Sequence, residues 1–106
     1  MVDLENYIYF DICIFAIEEY EKLSYKTKQS SFRYYCNWVT GQIVLFKTKD
    51  SRLDYLLRIT KKIKLLYGLR EETAFQLVID FFLDDKFIKF EVAAQQMLIY
   101  FPNSFC

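Results

Sequence analysis

The spacing of apolar residues predicts a helix at the start of the chain. Asp3 is of a residue type that caps helix N-termini, and the apolar residues after it recur every three or four positions. Further apolar residues make this segment apolar nearly all round, which is typical of a buried helix. We predict a first helix from Asp3 to about Leu23, with its polar end, Glu18 to Lys22, in solvent. The first apolar stripe consists of Leu4, Ile8, Ile12 and Phe15.

A second helix is predicted after the polar connection at 24–31, with Ser30 or Ser31 as its cap. The β-branched residues of this segment, together with Gly41, also fit a β-hairpin that turns at Thr40 and Gly41. We predict a helix over 32–47 because helical spacing persists through the segment, and the hairpin stays open as the alternative. The predicted apolar face consists of Phe32, Tyr35, Val39, Ile43 and Phe46.

Three more helices are predicted in the second half of the chain. The first begins at a capping pair, Ser51 and Asp54, and is stopped by Gly68. The others run from about 70 to 83 and from about 86 to 101. The residues predicted to face the core are Leu53, Leu56, Leu57, Ile63 and Tyr67, then Phe75, Val78, Ile79 and Phe82, then Phe87, Phe90, Ala94, Met97 and Phe101.

These elements predict an all-α fold. One Pro and two Gly in 106 residues leave no linker-like stretch, and the chain is long enough for one core. We therefore predict a single domain over 1–106, folded as a small compact bundle of about five helices.

The composition adds a hypothesis about function. The chain is 54% hydrophobic and 20% aromatic, above the usual apolar share of soluble domains. The surplus fits an aromatic-rich core, or a surface that binds a second copy or another protein. Tyr34, Tyr35 and Trp38 are the predicted contact residues, because Tyr and Trp combine apolar area with a hydrogen-bonding tip. The leading hypothesis is a non-enzymatic interaction or regulatory module that forms a homodimer or binds another protein.

The charge pattern supplies an alternative. The formal net charge is zero, yet residues 26–64 hold ten bases and two acids, between acidic flanks. Arg33, Arg58, Lys61 and Lys62 could hold a polyanion, which would make the chain a nucleic-acid-associated regulator. A helix-turn-helix around Gly68 does not fit, because its second helix would begin acidic and continue apolar. We favour internal neutralisation of the basic segment by the acidic flanks.

The amino-acid composition argues against several classes of catalytic and binding site. The chain has no His, which is the commonest general base and metal ligand, and its two glycines form no phosphate-binding loop. Asp11 and Asp80 are the acids that an enzyme would use. We expect no catalytic residue, no cofactor and no metal. Three cysteines far apart and an acidic N-terminus favour a cytoplasmic protein without a membrane anchor.

Overall fold

The computed structural model describes residues 3–23, 31–45 and 51–101, with side chains in the last range from residue 53 onward. The described residues form helices without a strand, which confirms the all-α bundle, and the segment after Ser31 is helical rather than a hairpin. The helices are α1 (Leu4–Glu21), α2 (Phe32–Val44), α3 (Ser51–Tyr67), α4 (Glu71–Leu83) and α5 (Lys86–Tyr100).

The helix ends follow local signals. Asp3 caps α1 and Ser31 caps α2, each through a side-chain oxygen that accepts a hydrogen bond from a backbone N–H of the first turn. Gly68 ends α3 with φ at 64°, a left-handed conformation that glycine adopts without steric penalty. The predicted capping role of Ser51 involves a side chain outside the described residues.

The first helix lies at the centre of the bundle. It contacts α3, α4 and α5, and buried side chains surround it, as its apolar pattern predicted. The Tyr55 hydroxyl on α3 donates a hydrogen bond of 2.8 Å to the carbonyl of Ala16. Phe10 and Phe90 lie 6.4 Å apart, while Ile17 shares a groove with Leu98. These pairs show that α1 and α5 run in the same direction.

Aromatic rings join four of the helices. Edge-to-face contacts run from Tyr20 to Tyr35 (5.4 Å), from Tyr35 to Tyr55 (5.2 Å), from Tyr55 to Phe82 (6.1 Å) and from Phe82 to Phe81 (5.1 Å). In the described residues the aromatic surplus therefore lies mainly in the core. Of the 14 large apolar residues that are exposed there, only four are aromatic, so the apolar surface is mainly aliphatic.

The buried face of α3 is rotated from the predicted one. Leu57 is exposed, whereas Tyr55, Ile59 and Thr60 are buried. The helix packs against both α1 and α4, and these two neighbours together move the centre of its buried face toward Tyr55 and Ile59. Phe101, also predicted to be in the core, is exposed because it follows the end of α5.

Candidate interaction surface

One exposed side of α2 is mostly apolar and carries no charged residue. Tyr34, Trp38, Gly41 and Leu45 lie at positions i, i+4, i+7 and i+11, so they follow one line along the helix. Tyr34 and Leu45 are 64% and 60% exposed, and Trp38 is half-buried against the core. We name this surface the α2 face and define it as Tyr34, Asn37, Trp38, Gly41, Val44 and Leu45.

One ion pair accounts for the charge on α2. Arg33 is the only charged residue of this helix. Its guanidinium donates to Oε1 of Glu91 on α5 through Nη2 at 2.9 Å and Nε at 3.1 Å. The pair links α2 to α5 and neutralises the one cation that borders the α2 face among the described residues.

The three predicted contact residues do not share one surface. Tyr34 is exposed, Trp38 is half-buried, and Tyr35 is buried in the aromatic core. Tyr35 packs against Tyr20 and Tyr55 in the core, and Tyr34, about 100° away around the helix, is exposed to solvent. Tyr35 is therefore a core residue, while a contact role for Tyr34 and Trp38 stays a prediction. Gly41 and Leu45 were not among the predicted contact residues, although their spacing from Tyr34 places them on the same line of the helix.

Two of the residues predicted to bind a polyanion, Arg58 and Lys62, lie beside a buried carboxylate of the same chain. Glu19 on α1 is 4% exposed, with Arg58 Nε at 3.4 Å, Lys62 Nζ at 3.2 Å and Lys22 Nζ at 3.7 Å from its oxygens. This corrects the expectation of a solvent-exposed position for Glu19, whereas Glu21 and Lys22 are exposed as predicted and Glu18 is half-buried. Four residues separate Arg58 from Lys62, which places both on the side of α3 that meets α1.

The remaining basic residues give little support to a polyanion site. Arg33 is paired with Glu91, as described above. Lys61 is exposed, and in the described part of the chain it has no ion pair. Three of the four predicted cations thus already neighbour a carboxylate.

The acids considered for catalysis make structural hydrogen bonds. Asp11 accepts one from the hydroxyl of Tyr67. Burial raises the pKa of Asp11, and this hydrogen bond opposes the shift. The pKa of Tyr67 is raised by burial and by the Asp11 carboxylate. Asp80 accepts a hydrogen bond of 2.8 Å from Nε2 of Gln76 on the same helix.

The two cysteines in the described part of the chain are buried. Burial raises the pKa of the Cys13 thiol to about 12 and also raises the pKa of Cys36. Burial therefore keeps both thiols protonated near neutral pH, and a protonated thiol is a poor nucleophile. Within the described ranges, no group of three or more His, Cys, Asp or Glu side chains could hold a metal ion.

A shallow groove and a second apolar stripe lie along α5. The groove, about 340 Å³ in volume, is lined by Ile17 and Glu21 of α1 and by Gln95, Leu98 and Ile99 of α5. The described residues that line it include one carboxylate, Glu21, and no Ser, Thr, Cys or Lys side chain. The stripe, which we name the α5 face, consists of Ile88, Val92 and Ile99.

None of the helices in the described residues combines the length and apolarity needed to cross a bilayer. The chain matches no known protein-family model, and comparisons with characterised proteins and with solved structures gave no match.

Proposed function

We propose that this chain is a non-enzymatic protein-interaction module that associates with itself through the α2 face. The observation that carries the proposal is an exposed helix face with large apolar side chains and no charge. Contiguous apolar surface is rare on monomers, and interface cores are poor in charged residues and rich in Tyr and Trp. Tyr34 and Trp38 supply these residue types, and Leu45 extends the surface by two turns.

Self-association suits this face for an electrostatic reason. A two-fold contact brings the same residues of both copies together, so any charge on the face would meet a like charge. The α2 face has none, and the Arg33 charge beside it is neutralised by Glu91. The Tyr34 hydroxyl and the Asn37 amide provide hydrogen-bonding groups on an otherwise apolar surface.

The competing proposal is a nucleic-acid-associated regulator. It has less support, because the cations that it needs at Arg33, Arg58 and Lys62 neighbour Glu91 and Glu19. The two proposals differ in their response to salt. Phosphate contacts weaken steeply as salt is added, whereas an apolar contact does not.

The test is the solution mass by light scattering over a range of protein concentrations, at low and high salt, with nucleic-acid absorbance recorded on the same samples. We expect a dimer that forms reversibly with concentration, persists in high salt and carries no nucleic acid. Tyr34→Ala removes an exposed ring and should shift the equilibrium to monomer without loss of folding. Trp38→Ala should also weaken the dimer, while Ile99→Ala on the α5 face serves as the control.

Three results would contradict the proposal. The first is a monomer at every concentration, and the second is a dimer that Tyr34→Ala leaves unchanged. The third is a monomer that co-purifies with nucleic acid and loses it in salt, which would favour the regulator instead. If Trp38→Ala unfolds the monomer, its ring is needed by the core, and Tyr34→Ala alone decides the question.

A further inference from the structure

Nothing in the described part of the fold explains the glycine at position 41. It lies inside α2, where glycine makes a helix less stable than alanine does. A Cβ atom placed on Gly41 would meet no heavy atom within 4 Å, and its φ is not positive. Neither internal crowding nor backbone conformation therefore requires glycine there. Gly68 differs, since its φ of 64° disfavours other residues.

We infer that Gly41 is the point at which α2 of a second copy of this chain crosses the α2 face; this inference rests on the proposed function. Trp38 and Leu45 lie one turn before and one turn after Gly41 on the same side of the helix. The missing side chain leaves a notch between two large ones. Helix axes approach most closely where the residues at the crossing are small, so a partner backbone fits into this notch.

The occupant is a second copy because the surface complements itself. The notch and the apolar residues beside it occur together on one uncharged face, so two such faces meet without like-charge repulsion. Helix α2 has 13 residues and is therefore about 20 Å long. One helix of this length covers less than the roughly 800 Å² that a standard interface buries on each partner. The dimer should thus be reversible and concentration-dependent.

The experiment compares Gly41→Ala and Gly41→Leu with the unchanged chain by sedimentation equilibrium. Stability is measured by urea unfolding at a concentration where the chain is monomeric. Because a Cβ at Gly41 meets open space in the monomer, we expect Gly41→Ala to raise the unfolding midpoint and yet weaken the dimer. Gly41→Leu should raise the dissociation constant by about tenfold or more, since overpacking a close contact carries a penalty of that order.

Ala93→Leu is the matched control. Ala93 is exposed on α5, so leucine adds bulk there at a distance from the α2 face, and the dissociation constant should not change. An equal weakening by Ala93→Leu would place the contact on α5 and overturn the inference. Should Gly41→Leu fail to fold, Gly41→Ala decides by the same two measurements.

Tyr34→Ala separates this inference from the proposed function. If Tyr34→Ala weakens the dimer but neither Gly41 variant does, the α2 face is the contact and the crossing point is elsewhere. If neither position affects association, or the chain is monomeric throughout, the proposed function fails together with the inference.

Discussion

Replacing Glu19 by glutamine removes the negative charge on which three cations converge between α1 and α3. The carboxylate is 4% exposed, and the Nζ atoms of Lys22 and Lys62 and the Nε atom of Arg58 lie 3.7, 3.2 and 3.4 Å from its oxygens. Glutamine has nearly the same shape, so the change removes the charge while it leaves the volume of the core intact. The free energy of unfolding should fall.

The size of this effect follows from the exposure of each cation. The Lys22 and Arg58 side chains are 65% and 52% exposed, so solvent screens both contacts and each contributes about 0–1 kcal/mol. Lys62 is 29% exposed, and its contact is worth about 1.5–3 kcal/mol, in the range of a hydrogen bond to a charged group. The side-chain oxygen of glutamine can still accept a hydrogen bond from Lys62, so the variant retains part of this stabilisation. We expect Glu19→Gln to destabilise the monomer by about 2 kcal/mol, which lowers Tm by roughly 8 °C in a domain of this size.

The assay is urea unfolding of a double-mutant cycle between Glu19→Gln and Lys62→Gln, at a protein concentration where the chain is monomeric. A coupling energy of about 1 kcal/mol or more is expected for this pair. Lys61→Gln is the control, because Lys61 is an exposed neighbour on α3 without an ion pair in the described residues, and its effects should add to those of Glu19→Gln. Equal coupling for Lys61 and Lys62, or a change within 0.5 kcal/mol for Glu19→Gln, would refute the reasoning.

Three further predictions test other parts of the structure. Gly68→Ala should destabilise the monomer by about 1–2 kcal/mol, because alanine is strained at φ 64°. Urea unfolding checks this: the midpoint should fall for Gly68→Ala, whereas it should rise for Gly41→Ala. In a Cys106→Ser variant, Cys13 and Cys36 should react with a thiol reagent near neutral pH only as fast as the chain unfolds, since both are buried and un-ionised; rapid labelling of folded protein would contradict this. Burial raises the pKa of Asp11, so its protonated form favours folding below its ordinary value of 3.8, and that contribution is lost as the pH rises through the folded pKa. Asp11→Asn should therefore be more stable than the unchanged chain at pH 7, with a difference in unfolding free energy that shrinks toward pH 3.8; a difference independent of pH would disprove the assignment.

The helices could be predicted because their signals are local. Asp3 and Ser31 cap through side chains that reach backbone groups two or three residues away, and Gly68 ends α3 through its own backbone conformation. Each signal lies within one helical turn of the boundary that it sets. The hairpin alternative at Thr40 and Gly41 failed because β-branched content is a weaker indicator than helical periodicity.

The environment of Glu19 could not be predicted, since it depends on how α1 and α3 pack against each other. A run of acids at the end of a helix is usually solvated, and nothing near Glu19 in sequence indicates otherwise. Its burial follows from the antiparallel contact of α1 with α3, which brings Arg58 and Lys62 to the carboxylate across a separation of about 40 residues. The exposure of Leu57 could not be predicted for the same reason, because the direction of its side chain depends on where α1 and α4 lie relative to α3.

Gly41 and Gly68 show why the candidate site could not be identified from the sequence without the structure. Both are single glycines among helix-forming residues. The sequence predicts a helix stop at Gly68, and it predicts a helix through Gly41 with a hairpin turn there as the alternative. The structure separates them by two quantities that sequence does not contain, the sign of φ and the space around a Cβ atom. At Gly68 the backbone conformation accounts for the residue, whereas at Gly41 nothing in the described part of the monomer does. A glycine that weakens a helix without an internal reason directs attention to what lies outside the monomer, and the outward side of Gly41 is the apolar line from Tyr34 to Leu45.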